Sequence, residues 1–594
     1  MNQKAIIKRC KELGCCDACC IRYLGIKTPS AYENAQEYVL KISADKAGQP
    51  QKPETNIEPE PVTEPTDNFP QDVKTEAPEG ATGTTEATSC EQSTCSELLV
   101  ADNSCETDDS CGEPQPKRKK LEGVCVTCLG VLQEENWPQC WNMVQEMLEK
   151  KRYECATFAC ALSAPIATIL RERIVALHLR DACAAYDDAS LTPLKEAWKW
   201  SFGARLAAHV RLSLDSGAVS PLLVTLHIEY PDDMQELEVL KALSPGLFSA
   251  RRAAGRRFGV EFTRRSVEQA LAGATLDALR TRAQLSEAPP VRARAQCVSV
   301  VCTHAPLYLG GRYVKLSRAL PQTPWLVNGV RMMHSSVQEI ICQPIAALYQ
   351  MGVEDAEHRL KFMSAGREDV DVRCLGDGRP FAIEITDPTR QPSEAELSEL
   401  CEQISASGHV RVRRLTPVSR DDLAELKKGE ETKCKTYELL CIKLSRSADD
   451  EPATNGSASE HAAGAGVAVT ARDIARVNAY RNTPAGDAAR VLLQQRTPVR
   501  VLHRRPLLTR ARRILELSAR PVPGHPALLV VRVRTEAGTY VKEWAHGELG
   551  RTRPRLGDAL GARADILALD VAAVELDWPR RPPPTTTHCD PLLL

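Results

Sequence analysis

The stretch Gly366-Arg367-Glu368-Asp369-Val370-Asp371-Val372-Arg373 sets two carboxylates among arginines, just ahead of the apolar run Pro380-Phe381-Ala382-Ile383-Glu384-Ile385, which reads as a strand. On an extended segment Asp369 and Asp371 face the same side, and Arg367 and Arg373 are close enough to hold them ionised. Taken alone, such a run reads as an ion-paired strand edge. Its company changes that reading: Lys435-Thr436-Tyr437 follows, and then Gly538-Thr539-Tyr540-Val541-Lys542. Lys542 lies two positions after Tyr540, so in a strand both side chains point the same way.

The bounds set by length and composition imply two or three domains plus linkers. At 594 residues the chain is too long for one core, and 43% apolar residues suffice for ordinary packing. No run reaches the roughly 18 to 20 apolar residues of a membrane span. The start, Met1-Asn2-Gln3-Lys4, lacks the apolar stretch of a signal peptide, so the expectation is an intracellular protein with no membrane partner. Twenty-three cysteines, an odd number thinly spread, fit free thiols and a metal site better than a disulfide framework.

A net charge of -2 conceals a division. Residues 44–115 carry 17 Asp or Glu against 3 Lys, with many Pro, Thr and Ser, and are expected to be disordered. Residues 490–565 carry 16 Lys or Arg against 6 Asp or Glu, an excess that a polyanion such as nucleic acid would neutralise. Pro116-Lys117-Arg118-Lys119-Lys120 reads as a nuclear-import signal, which gives an expected location in nucleus and cytoplasm.

These shifts divide the chain into a helical segment 1–43, an acidic linker 44–120, a mixed region 121–290, a C-terminal α/β region 291–578 and a tail 579–594. Within the fourth part, 447–466 is rich in Ala, Gly, Ser and acids and reads as a surface insertion. Trp137, Cys140, Trp141, Val144, Met147 and Leu148 recur at helical spacing, while Cys155 to Leu162 and Leu222 to Tyr230 have strand character. Arg251, Arg252, Arg256, Arg257, Arg264 and Arg265 form a basic cluster that suits either RNA or water. Gly376-Asp377-Gly378 reads as a hairpin turn rather than a dinucleotide loop.

Cys16-Asp17-Ala18-Cys19 and Cys125-Val126-Thr127-Cys128 have the spacing at which two thiolates of one turn reach a tetrahedral zinc ion. Most of the intervening chain is the acidic linker, and closing a flexible loop costs only about 0.6 kcal/mol more per doubling of length. Cys16, Cys19, Cys125 and Cys128 are therefore expected to share one structural zinc. No adjacent general base suggests a catalytic metal.

Taken together, Gly311-Arg312-Tyr313, Leu320 to Trp325, Gly366 to Arg373, Arg379 to Glu384, Val501 to Leu507, Gly538 to Lys542, His546-Gly547 and Gly550-Arg551-Thr552 resemble one family: the archaeal and eukaryotic tRNA pseudouridine synthases with an N-terminal zinc and THUMP-containing domain. The resemblance implies an α/β (α+β) chain: a C-terminal pseudouridine synthase fold with a mixed antiparallel sheet, a zinc ribbon and a THUMP-like α/β domain. It also implies that Asp369 is the nucleophile, that Tyr437 stacks on the flipped uracil, and that Lys542 pairs with Asp369 and keeps it charged. The family reaction breaks the C1′–N1 bond of a uridine, turns the base and joins C5 to C1′, using no organic cofactor. The carboxylate either attacks the sugar or takes a sugar proton on the way to a glycal.

The implied partner is tRNA, through its T-arm and acceptor stem, with uridine 54 or 55 as target and other hairpin RNAs as further ligands; a monomer suffices. The arginine-rich segment supplies the expected RNA contacts: Arg500, Arg504, Arg505 and Arg510, with Arg367, Arg373, Tyr540 and Arg551 around them. Arg504 and Arg505, between Leu502 and Leu507, suit a strand edge. Two other readings compete with this one. A THUMP-linked methyltransferase or thiouridine synthetase needs a glycine-rich cofactor loop or an ATP-pyrophosphatase loop, and neither occurs. A silent RNA-binding scaffold would have no need of Asp369, Tyr437 and Lys542 together.

Overall fold

The computed structural model describes residues 3–44, 121–446 and 466–580, except 184, 216, 218, 219 and 254–259. The acidic linker beyond residue 44, the basic word 116–120, Arg256, Arg257, nearly all of the 447–466 insertion and the tail from 581 therefore lie outside the described residues.

The N-terminal part is built on a four-stranded mixed sheet of order β2-β1-β3-β4, from β1 (Thr157–Ser163), β2 (Ser213–Leu214), β3 (Leu222–Glu229) and β4 (Gln296–His304). β1 pairs in parallel with both β2 and β3, and β4 runs antiparallel to β3. Alternation along β3 turns Leu222, Val224, Leu226 and Ile228 inward. The expected helix is present as Trp137–Lys151 and packs on β4. Helices Gln3–Glu12 and Asp17–Tyr23 bury Ile6, Ile7, Ile21 and Tyr23 in the same core as Trp137 and Phe158, so the two sides of the acidic linker form one unit.

Because β4 completes this sheet, the chain leaves the unit at Ala305-Pro306, past the expected boundary at 290. There the two parts are tied together. Asp387, beyond the sheet of the second unit, accepts from Lys151 Nζ at 2.7 Å, Tyr153 OH at 2.6 Å and the His304 amide at 2.8 Å.

The C-terminal part holds a ten-stranded sheet. Its strands are β5 (Leu307–Lys315), β8 (Leu360–Ser364), β9 (Arg373–Ile385), β10 (Val410–Val418), β11 (Lys435–Lys443), β12 (Val491–Arg496), β13 (Thr509–Val522), β14 (His525–Thr535), β15 (Thr552–Arg553) and β16 (Ala564–Val574). The order is β10-β5-β9-β16-β11-β14-β13-β12-β15, with β8 also on β9. A separate hairpin joins β6 (Leu326–Val327) to β7 (Val330–Arg331). Within the large sheet, β9 and β16 form the parallel pair, through Arg373↔Asp570 and Cys374↔Val571, and the neighbours on either side are antiparallel.

That parallel join divides two cores. Leu309, Phe381 and Ile383 pack under helices Val337–Leu348 and Glu394–Ser405, whereas Leu439, Leu529, Val531, Val533 and Val571 pack with Trp544 and Leu556. β9 serves both because it bends. Gly376 and Gly378 lie inside the strand with φ +61° and +81°, where an added Cβ would meet the carbonyls of Ala572 and Tyr313 at 2.3 and 2.5 Å. The expected hairpin at 376–378 is thus a bulge within one strand. Arg312 knits it to the chain end, donating to the carbonyls of Asp377, Gly378, Val574, Leu576 and Trp578.

Candidate active site

Asp369 sits in the loop between β8 and β9, beside the parallel join, and its side chain is 39% exposed. Two cations reach it. Lys542 Nζ lies 3.1 Å from Oδ2, and Arg500 Nη1 lies 3.2 Å from Oδ2 and 3.3 Å from Oδ1. Lys542 also donates to both oxygens of Asp371 at 2.8 Å. Burial alone would raise the Asp371 carboxyl, but the Lys542 ammonium holds it below its ordinary value.

The loop is fixed from beneath by buried polar groups. The Lys315 side chain ends β5 fully buried and donates to the carbonyls of Asp369 and Val370 at 3.0 and 2.9 Å; burial pushes its amine below the ordinary lysine value. Glu368 points inward, where Arg379 Nε donates to it at 2.7 Å and Tyr313 OH at 2.8 Å. Arg379 Nη1 also holds the Ala365 carbonyl, and Gln322 Nε2 donates to Gly366 O at 3.0 Å. The acid before Asp369 therefore anchors the loop while Asp369 itself faces outward.

Tyr437 lies near the start of β11, registered between Val533 of β14 and Val571 of β16, and is half-buried against the core. Burial pushes its phenol up to about 12, with Arg379 pulling the other way. Its hydroxyl makes no hydrogen bond among the described residues, so the ring is what Tyr437 presents. Lys542 is carried by helix Val541–His546, whose Val541, Trp544 and Ala545 are buried in the core. The expected strand geometry at Tyr540 and Lys542 is not found: Tyr540 caps this helix, its amide and carbonyl both bonded to the Gln495 side chain at 3.0 Å.

The other arginines divide by partner. Arg373 donates to Asp570 of β16 at 2.9 and 2.5 Å, because the strand pairing sets the two residues side by side, and Arg367 is exposed. The cations holding Asp369 are thus Lys542 and Arg500, distant in sequence, rather than the arginines of its own word. Arg504 and Arg505 stand on an exposed turn after the short helix Val499–Val501, not on a strand edge. Arg510 opens β13, exposed, and with Gln495, Thr497, Leu508, Arg512, Gly538 and Tyr540 lines a small hollow. Arg551 is spent internally, with Nη2 on the Thr497 carbonyl at 2.5 Å and Nε 3.4 Å from Glu548.

Sequence reading missed Arg500 as a partner of Asp369, and missed Lys315, Glu368, Arg379 and Gln322 as supports of its loop. Several stand in the short words that carried the resemblance, which was their one visible signal.

The thiols of Cys16, Cys19, Cys125 and Cys128 all lie within 4.8 Å of one another, with Cys16 and Cys128 Sγ 3.8 Å apart. Four sulfurs about 2.3 Å from a tetrahedral ion stand roughly 3.8 Å apart, so the donor set fits a metal ion. The Cys16 amide donates to Cys125 Sγ at 3.3 Å. Cys15 turns away to Thr127 Oγ1, also at 3.3 Å. In place of a ribbon hairpin, the first knuckle opens helix Asp17–Tyr23 and the second lies in consecutive turns.

Comparison with known proteins bears on the family of the chain. The family model described as Pus10, C-terminal matches residues 308–462 and 467–575, and that described as Eukaryotic Pus10, N-terminal matches residues 125–302. A human protein named tRNA pseudouridine synthase Pus10 is 33% identical over 478 residues, 79% of this chain and 81% of that one. Its mouse namesake is 31% identical over 584 residues, 95% of this chain and 96% of that one. A namesake from Thermofilum pendens is 32% identical over 46% of this chain and 53% of its own. Among solved structures, one of a Cbf5-Nop10-Gar1 complex is similar over 44% of this chain and 48% of that chain, at 15% identity and a TM-score of 0.22.

Proposed function

This chain belongs to the Pus10 family, and from that premise we propose that it isomerises a uridine of the tRNA T-arm, position 54 or 55, to pseudouridine, with Asp369 as the essential carboxylate. The observation that carries the reading is the Asp369 side chain, partly exposed, flanked by Lys542 and Arg500 at 3.1 to 3.3 Å. The carboxylate, flanked by these two cations, either adds to C1′ or accepts a sugar proton as the C1′–N1 bond breaks. The freed uracil turns, C5 joins C1′, and the proton lost from C5 is balanced by one gained at N1, so the product is an isomer. Tyr437 stacks on the base while it is detached. The ring is fixed by its strand register, and a hydroxyl kept neutral by burial adds no charge to the pocket.

Among the described residues, Arg504, Arg505 and Arg510 lack the internal pairing that occupies Arg373 and Arg551, and they supply the phosphate contacts around the target. Cys16, Cys19, Cys125 and Cys128 hold a structural zinc, which when bound ties the N-terminal helices to the unit beyond the linker. That unit, THUMP-like in role, engages the acceptor end and sets the distance to the T-arm. The protein acts as a monomer, in nucleus and cytoplasm.

The test is incubation with an unmodified tRNA transcript, without organic cofactor, and mapping of pseudouridine by carbodiimide-blocked reverse transcription. A T-loop stop that vanishes in Asp369→Ala, with RNA binding retained, is the expected result. Equal binding with no product from the wild type supports a scaffold instead.

A further inference from the structure

Resting on the synthase reading, we propose that Glu543 is a positioning residue that fixes Arg500 so that one edge of its guanidinium stays on Asp369. Arg500 leaves the short helix Val499–Val501 at the surface, where a free arginine loses much rotamer entropy on being ordered. Two acids share it. Nε donates to Glu543 Oε1 at 2.6 Å and Nη2 lies 3.5 Å from Oε2, while Nη1 reaches Asp369. The guanidinium is planar, so binding its Nε edge sets the direction of Nη1.

The anchor is itself immobile. The Glu543 side chain is 3% exposed, on the helix whose Val541, Trp544 and Ala545 enter the core. The backbone on either side of Arg500 is tied to the same stretch: the Val499 amide donates to Glu548 Oε1 at 2.8 Å, and Arg551 holds the Thr497 carbonyl. The other cation at Asp369 is held differently. Lys542 is shared with Asp371, which is 65% exposed and takes the two shorter bonds. Lys315 meets the loop through carbonyls, and Glu368 is turned inward to Arg379 and Tyr313. Of the charges facing Asp369, Arg500 is thus the one with a buried anchor, and Glu543 acts through it without touching the RNA.

The experiment compares wild type, Glu543→Gln, Arg500→Lys, Arg500→Gln and the Glu543→Gln/Arg500→Gln double in single-turnover pseudouridine formation on a tRNA transcript across pH, with Kd from filter binding. Glu543→Gln should slow the saturated rate by about tenfold or more through misplacement of Arg500, with Kd within about threefold of wild type. Its acid limb should move to higher pH, because losing a nearby cation disfavours an ionised carboxylate. The double should be no slower than Arg500→Gln, since the two residues act as a unit. Arg500→Lys, one point charge for two acids, should fall between wild type and Arg500→Gln.

An acid limb moving to lower pH would make Glu543 a mere competing charge, and additive losses or an unchanged Glu543→Gln rate would equally overturn the proposal. Should thermal unfolding show Glu543→Gln misfolded, the Arg500 variants decide: a raised Kd with an unmoved acid limb makes Arg500 a phosphate contact and refutes the role. A wild type without product on any transcript refutes the synthase reading and this role with it, whereas an active wild type with an indifferent Glu543→Gln refutes this role alone.

Discussion

Replacing Arg379 by methionine strips the support from beneath the loop that carries Asp369, and the size of the effect follows from the geometry. Arg379 and Glu368 meet at 2.7 Å with side chains 1% and 0% exposed. At an effective dielectric constant of about 20, that separation corresponds to about 6 kcal/mol of attraction, most of it offset by the cost of taking both charges out of water. Arg379→Met removes the attraction but leaves Glu368's own share of that cost, stranding the carboxylate with Tyr313 as its remaining donor among the described residues.

The expected loss is therefore about 3–5 kcal/mol, read as a fall in unfolding midpoint on the order of 10 °C. Adding Glu368→Gln should recover at least half of it, because no buried charge is then stranded. Urea unfolding of the two single variants and the double gives the cycle. Single-turnover kinetics below the unfolding range should show a loss of at least about tenfold in Arg379→Met, since the same guanidinium holds Ala365 O near the bend that sets Asp369 outward. An Arg379→Met protein within about 1 kcal/mol of wild type, or a double less stable than the single, would refute the buried-pair account.

Further outcomes follow from the same geometry. Tyr437→Phe should keep the rate within about threefold, whereas Tyr437→Ala should lose about 5- to 150-fold at saturating RNA, the equivalent of one stacked base at about 1–3 kcal/mol; equal losses in the two would assign the work to the hydroxyl. Asp387 is held below its ordinary value, burial being outweighed by Lys151, Tyr153 and the His304 amide. A depressed carboxylate stabilises above its unfolded value, near pH 4, and loses that contribution as pH falls through the folded one; wild type should accordingly weaken more steeply than Asp387→Asn below about pH 4 in acid-unfolding scans. Arg504→Ala and Arg505→Ala should each flatten the slope of log binding constant against log salt by about 0.7–0.9 if each meets one phosphate; an unchanged slope would remove them from the interface. Plasma mass spectrometry should find zinc on the wild type and none on Cys125→Ser, which should also unfold at a lower thermal midpoint, while Cys155→Ser should keep the metal.

Much of this was legible in the chain because it depends on local pattern. Apolar, strand-like runs marked β3 and the second half of β9, helical spacing marked Trp137–Lys151, and paired cysteines marked a four-thiol cluster whose halves are separated by more than a hundred residues. Short words carried the family, and with it Asp369, Tyr437 and Lys542.

The misreadings have two causes: a side chain's partner was sought among its sequence neighbours, and a backbone shape was read from a short local word. Arg367 and Arg373 flank Asp369 in the chain, yet the β9–β16 pairing hands Arg373 to Asp570, while Arg500 arrives from beyond β12. Gly376 and Gly378 looked like a turn because positive φ is common to turns and bulges, and only the approach of the Ala572 and Tyr313 carbonyls separates the two. Tyr540 and Lys542 looked like strand neighbours until burial of Trp544 turned the segment into a helix.

The sequence by itself determined the family and the paired cysteines, since these are properties of words and spacings that survive without coordinates. Tertiary structure alone decided which cation faces which acid: Arg500 and Lys542 on Asp369, Arg379 under Glu368, Arg373 on Asp570, Arg551 on a carbonyl. Ion pairs form wherever folding brings opposite charges within about 4 Å, and strand register and helix packing, not distance along the chain, set those separations.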